Sequence, residues 1–327
     1  MLHRESIVIV TPALAEANNG NWQTARRWAR MLEPAYRVRI ALQWAGGDEA
    51  LMIALHARRS AASIAAWRAA HPQRPLLVVL TGTDLYRDIE TDATAKHSLA
   101  VADRLVVLNE LGAQQLPAAL RPRCRVVLQS AAERRALPKT QRHLRALMVG
   151  HLRDVKDPGT YFEAARRLAR RADILFDHVG AALDPALGAQ ASALAASDAR
   201  YRWLGALPHA ETRRRIQSAH VLVHASRIEG GAHVVIEAIR SATPVLASRI
   251  AGNVGLLGAD YAALFEAGNS AALATLLARA RDDPDMLAGL QRQIARRAPL
   301  FAPAAERAAL GGVVAELMDG KDPQPAT

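Results

Sequence analysis

The sequence is poor in residues that staple a fold, span a bilayer or stack on bases. Cys124 is the only cysteine in 327 residues. That excludes an intrachain disulfide and a cysteine-based metal cluster, and the cytoplasm is the compartment expected of such a chain. Aromatic residues are 4% of the chain, too few to interleave with basic side chains as nucleic-acid surfaces do. The longest apolar stretches, such as Leu76 to Leu80, have strand length, far short of the roughly 20 residues of a spanning helix. No stable membrane insertion is expected. The N-terminus runs into a short apolar strand over residues 7–10 and lacks the apolar region and cleavage site of a signal peptide. Lysine occurs only at positions 96, 139, 156 and 321, so nearly all the positive charge behind the net +11 is arginine. The arginines are scattered over helical faces, as in Arg26-Arg27-Arg30 and Arg213-Arg214-Arg215. With no basic tail, they read as solvated faces plus an anionic small substrate rather than a nucleic-acid footprint.

What is present is enough core for two domains. Half the residues are hydrophobic and 22% are charged, a globular composition, and the length exceeds one ordinary core. Short apolar runs alternate with amphipathic ones. Strands are expected at 6–11, 38–42, 51–55, 76–80, 104–108 and 125–128, with helices over 22–33 and 60–70. After a segment without apolar period, containing Glu133-Arg134-Arg135 and Pro138, the alternation restarts. Strands are expected at 145–149, 174–179, 201–204, 221–225 and 245–247, with helices over 161–171, 209–218 and 233–240. This is an α/β pattern of two doubly wound parallel sheets. The expected division is a first domain over 1–132, a linker over 133–144, a second domain over 145–300, and a terminal helix and tail over 301–327. That helix, about Pro303 to Met318, is expected to cross back to the first half.

Ligands of open parallel sheets bind outside the carboxyl ends of the strands. If the two domains face each other, the loops after residues 10, 55, 80, 149 and 225 line one cleft. In Gly150-His151-Leu152-Arg153-Asp154-Val155-Lys156, glycine lets the backbone approach a ligand. Arg153 supplies a forked cation and Lys156 a point charge, the pair a diphosphate needs. In Glu229-Gly230-Gly231-Ala232-His233-Val234-Val235-Ile236-Glu237, a strand end and two glycines precede a helix start, where amides attract phosphate. Glu229 is placed to accept from sugar hydroxyls and Glu237 to hold a ribose diol. In the first half, Asn19, Gly20 and Asn21 form a loop. His56, Arg58 and Arg59 follow one strand, and Thr81, Gly82, Thr83, Asp84 and Arg87 follow another. Asp84 reads either as a base that orients a hydroxyl or as a helix cap. No acidic metal cluster is found and no cofactor is expected.

The run from Gly150 to Lys156, the pair Glu229 and Glu237, and Glu237-Ala238-Ile239-Arg240-Ser241-Ala242-Thr243-Pro244 resemble the nucleotide-sugar domain of glycosyltransferase family 4, which has the GT-B fold of two facing Rossmann-like domains. The resemblance implies that Arg153 and Lys156 neutralise the donor diphosphate. It implies that Glu237 binds the ribose and Glu229 the transferred sugar, with Gly230, Gly231, Ala232 and His233 at the donor. It also implies transfer without a bound metal. The Asn-Asn-Gly-Asn loop carries one glycine where relatives are glycine-rich. The segments His56 to Ser60 and Thr81 to Asp88 resemble one subgroup, the selenosugar synthases of bacterial selenoneine biosynthesis. That implies selenophosphate attack on a UDP-sugar, UDP-N-acetylglucosamine or UDP-glucose, with Arg58, Arg59 and Arg87 as anion holders. Two other readings stand beside it. One is a family 4 enzyme that glycosylates a lipid or glycan hydroxyl, for which Trp22 to Trp28 is a mild membrane-docking candidate, although a core amphipathic helix suits that stretch better. The other is a non-catalytic nucleotide or nucleic-acid binder. Oligomeric state is not legible.

Overall fold

A computed structural model of the chain describes residues 4–14 and 20–320. The chain divides into two compact units. One takes the residues up to Gln129 and those from Pro303 on, and the other takes Ser130–Ala302.

The first unit runs β1 (Ser6–Val10), α1 (Gly20–Leu32), β2 (Arg37–Ala41), β3 (Leu51–Leu55), α2 (Ala61–Ala70), β4 (Leu76–Leu80), a π-turn at Asp84–Asp88, a single turn α3 (Ile89–Thr91), α4 (Ala93–Val101), β5 (Arg104–Val107) and β6 (Cys124–Val126). The strands pair in parallel, in the order β2-β1-β3-β4-β5-β6. Alternate residues of the central strands feed two cores. Val8, Met52, Ala54, Val78 and Leu80 pack with Ile64 and Trp67 of α2, whereas Ile7, Ile9, Ile53 and Val79 pack with Trp28 of α1. Unbroken apolar strands such as Leu51–Leu55 are what burial on both faces requires.

The second unit runs β7 (Leu144–Val149), α5 (Pro158–Arg167), β8 (Ile174–Val179), α6 (Pro185–Ser197), β9 (Tyr201–Trp203), α7 (His209–Ser218), β10 (Val221–His224), α8 (His233–Ile239), β11 (Val245–Ser248), α9 (Ala251–Leu257), β12 (Leu264–Phe265), α10 (Ser270–Asp282) and α11 (Pro284–Arg297). Its sheet is also parallel, in the order β12-β11-β10-β7-β8-β9. The strand order reverses between β7 and β10, and the loops leaving those two strands therefore open into a crevice. The segment 133–144 belongs to this unit. Arg134 N–H donates to Arg240 O at 2.9 Å, and Gln217 Nε2 donates to Arg135 O at 2.6 Å.

The last helix, α12 (Pro303–Met318), belongs to the first unit. Its Leu310, Val313 and Val314 join the core around Trp28. Glu306, with a fully buried side chain, accepts from Arg27 Nε at 3.0 and 2.8 Å and from Trp28 Nε1 at 2.7 Å. Trp28 is 0% exposed, so α1 presents this tryptophan to a core. Arg27 is an ion-pair partner rather than a solvated charge.

Candidate active site

In the second unit the chemistry gathers at the crevice between β7 and β10. The loop after β7 makes one helical turn at Asp154–Lys156. It then passes Asp157, which sits in the left-handed region at φ 47°. Thr160 Oγ1 donates to Asp157 Oδ2 at 2.8 Å, which offsets part of that strain. The loop after β10 is tied to it by four contacts. Arg227 N–H donates to Val155 O at 2.9 Å, and the Arg227 guanidinium reaches Asp157 at 3.3 Å and Asp154 at 3.4 Å. Lys156 Nζ donates to Glu229 Oε1.

These ties place a cation against an acid. Glu229 is 12% exposed in its side chain, and His224 Nε2 lies 3.4 Å from the same Oε1. Burial alone would push the Glu229 carboxyl up, but the charge of Lys156 and the hydrogen bond from His224 hold it well below the usual carboxylate range. Arg153 is exposed. His151 Nδ1 accepts from Ala181 N at 3.0 Å. Burial, with Arg153 and Lys156 nearby, pushes this imidazole down.

Glu237, 2% exposed in its side chain, projects from α8 into a cage of basic side chains. His209 Nε2 is 2.6 Å from Oε1, His233 Nδ1 is 3.3 Å away and Arg213 Nη1 is 3.6 Å away. Burial raises the carboxyl, but the two histidines and Arg213 outweigh it and hold the group at about 2. His209 and Arg213 are four residues apart on α7 and so share a face. Arg213 is buried, with Nη2 on Ala132 O at 2.9 Å, which corrects its reading as part of a solvated helix face. Ala232 stands at the cap of α8 and makes no side-chain cap bond. Gly230 is buried and Gly231 half-buried.

Close packing here rests on two glycines that the motifs did not single out. A Cβ on Gly180 would fall 1.9 Å from Gly150 O, and a Cβ on Gly252 would fall 2.1 Å from Glu229 O. At Gly150, by contrast, a Cβ would meet only the Lys156 side chain at 3.6 Å, an ordinary contact.

In the first unit, the loops after β3 and β4 lock together around Asp84. This side chain is 0% exposed. Oδ1 accepts from Thr81 N at 2.9 Å and Gly82 N at 2.8 Å, and Oδ2 accepts from Ala57 N at 3.0 Å. An acid so enclosed is an anchor for two loops, which corrects the alternative of a base facing a substrate. His56 takes φ 73° and is 3% exposed. Its Nε2 is 3.1 Å from Thr83 Oγ1. Burial, with Arg59 and Arg58 nearby, pushes the imidazole down against the opposing pull of Asp84 and Asp88. Arg58 Nε donates to Asp88 Oδ2 at 2.8 Å and Arg87 Nε lies 3.4 Å from Oδ1. Arg59 is exposed. Two guanidinium groups thus share one buried carboxylate, with Arg59 next in sequence to one of them.

The structure brings Gly150, Arg153, Lys156, Glu229, Gly230 and Gly231 into one crevice, with Glu237 and His233 on the helix that follows. It brings His56, Arg58, Thr83, Asp84 and Arg87 together in the first unit. Gly20 and Asn21 open α1, where Gly20 O accepts from Thr24 Oγ1 at 2.8 Å. Asn19 lies outside the described residues. Asp88, His209, Arg213 and His224 were missed. Only the Arg213 position carried a signal, four residues beyond a histidine on an amphipathic helix. Among the described residues no group of three or more His, Cys, Asp or Glu side chains suits a metal ion, and no helix is long and apolar enough to cross a membrane.

Comparison with known proteins places this architecture. The chain is similar in structure to sucrose-phosphate synthase from Thermosynechococcus elongatus (17% identity, TM-score 0.77, 97% of this chain and 100% of that one). It is similar to HepE from Anabaena in complex with UDP and glucose (14%, 0.73, 96% and 100%), and to the lipopolysaccharide outer core galactosyltransferase WaaB (12%, 0.70, 95% and 99%). At these identities the likeness is one of fold, GT-B. No curated protein matches significantly by sequence. The model of the glycosyl transferases group 1 family matches residues 129–299, just over half the chain and including every residue of the crevice between β7 and β10. The chain belongs to the glycosyl transferases group 1 family and is a glycosyltransferase.

Proposed function

We propose that this glycosyltransferase transfers the sugar of UDP-N-acetylglucosamine or UDP-glucose to selenophosphate, forming a C–Se bond. The observation that carries the donor half is the joining of two loops at the β7/β10 crevice, where Lys156 is paired with Glu229, Arg153 lies exposed on the same loop, and the buried acid Glu237 follows on α8. A nucleotide diphosphate sugar needs that set: cations for the pyrophosphate, one acid for the ribose diol and one for the sugar hydroxyls. HepE, similar in fold, is in complex with UDP and glucose. As the C1–O bond breaks, its electron pair passes to the β-phosphate, and Arg153 and Lys156 stabilise the charge that develops there.

The acceptor half rests on Arg58, Arg59 and Arg87. Selenophosphate is small, anionic and already nucleophilic, so it calls for guanidinium groups more than for a base. The enclosure of Asp84 by backbone amides fits that requirement. The selenium lone pair forms the bond to C1 and UDP departs. Water then cleaves Se–P, releasing phosphate and leaving the selenol. The test is mass spectrometry of the products from UDP-N-acetylglucosamine with selenophosphate, beside reactions offering lipid or sugar hydroxyls. A selenium-containing sugar is expected. Transfer to hydroxyls alone would make it a conventional transferase of its family, and release of no UDP with any acceptor would leave a nucleotide binder.

A further inference from the structure

Glu229 has two partners of different kinds, and they have different futures when a donor arrives. The backbone that carries it is already fixed. Ser248 Oγ donates to Ser226 O at 2.5 Å, and Asn253 Nδ2 holds Ser248 O at 2.9 Å. Arg227 N–H is tied to Val155 O, and Gly252 lets α9 lie against the Glu229 carbonyl. Among the described residues, the basic side chains within ion-pair reach of the carboxylate are Lys156 and His224, and these set its position. Arg227, the next cation along the loop, is engaged by Asp154 and Asp157.

His224 is a costly residue to keep at the end of β10. It is 2% exposed, and its Nδ1 has no hydrogen-bond partner among the described residues. A buried acceptor left unmatched opposes folding. What the ring supplies is on its other side. Nε2 lies 3.4 Å from both Glu229 Oε1 and Ser226 Oγ.

We propose that His224 is the positioning residue that holds Glu229 in place once Lys156 turns to the donor's diphosphate. This rests on the donor reading given above. Lys156 is bonded to Glu229. A diphosphate carries more negative charge than one carboxylate and draws the ammonium toward itself. Glu229 would then be a half-buried anion free to swing, but the imidazole, on a rigid strand, keeps it aimed at the sugar. His224 acts on the sugar through Glu229 and touches neither nucleotide nor phosphate.

The test compares turnover with binding of UDP, which lacks the sugar. In the His224→Leu variant, kcat with the UDP-sugar should fall at least tenfold while the Kd for UDP stays within twofold of wild type. In His224→Gln the amide nitrogen reaches the place of Nε2, so most of kcat should return. His224→Asn reaches only the place of Nδ1 and should stay impaired. The Gln and Asn pair decides the matter even where the Leu variant does not fold. The proposal is overturned by unchanged kcat in His224→Leu, by UDP affinity falling in proportion to kcat, or by Asn performing as well as Gln. Failure of wild-type protein to bind UDP would overturn the donor reading instead, which separates the two.

Discussion

At the carboxyl end of the first sheet, the fully buried acid Asp84 is satisfied by three backbone amides. At the same end of the second sheet, Glu229 and Glu237 are satisfied by the side chains of Lys156, His224, His209, His233 and Arg213. The difference is one of reversibility. An acid bonded to backbone cannot change partners without opening the loops that it joins. An acid bonded to side chains can exchange them for a ligand at the cost of a rotamer change. By this criterion Asp84 belongs to the scaffold and the two glutamates belong to the working surface. Asp88 stands between, held by side chains of the arginines that it steadies.

Four substitutions break or sharpen that contrast, in descending order of effect. Lys156→Ala removes the main partner of Glu229 and, on the proposed donor reading, a charge that meets the diphosphate. We expect kcat/KM for the UDP-sugar to fall on the order of 10²–10³-fold, about 3–4 kcal/mol of transition-state stabilisation. Near-normal kinetics would show that Lys156 serves only the ion pair. Asp84→Ala strands three buried amides and should cost on the order of 3 kcal/mol of stability, read as a lower denaturation midpoint in urea. A change in kcat at unchanged midpoint would return Asp84 to the chemistry.

Glu237→Gln tests the second sheet by pH. The Glu237 carboxyl is held at about 2 against an ordinary value of 4.5. A depressed acid adds stability that is full above about 4.5 and is lost as the pH falls toward 2. The gap corresponds to about 3 kcal/mol at most. The variant should unfold along a flatter acid profile than the wild type and differ little from it near pH 2. Parallel profiles would refute the cage. Smallest is Arg59→Ala, which should raise KM for selenophosphate about tenfold, or about 1.4 kcal/mol, with KM for the UDP-sugar unchanged. A shift in the latter alone would move Arg59 to the donor.

The sequence makes every strand but the two-residue β12 legible, and makes the loops after β7 and β10 stand out, for a physical reason. Strands buried on two faces, such as Leu76–Leu80, are continuous apolar runs, and cations beside glycines stand out in a chain with four lysines. Helix α6 was not legible because its alanines and glycine give no amphipathic period. Helices α10 and α11 carry their cues in caps, Asn269 and Asp283, whose bonds to Ala272 and Met286 appear only in three dimensions. The fate of Asp84 was open for the same reason, since cap and base share one side chain and only the amides around it decide. His224 and Gly252 are invisible to motif reading because their partners lie on other elements.

The ownership of α12 has a consequence for synthesis. Domains usually complete themselves in the order in which they leave the ribosome. Here residues 130–302, all that the second unit contains, emerge before Pro303–Met318 can close the first. Until then the indole nitrogen of Trp28 lacks Glu306, and the apolar face of α1 lacks Leu310 and Val314. The half of the molecule made first is therefore the half finished last, and a chain cut after residue 302 would hold every residue of the second unit but leave the first unsealed.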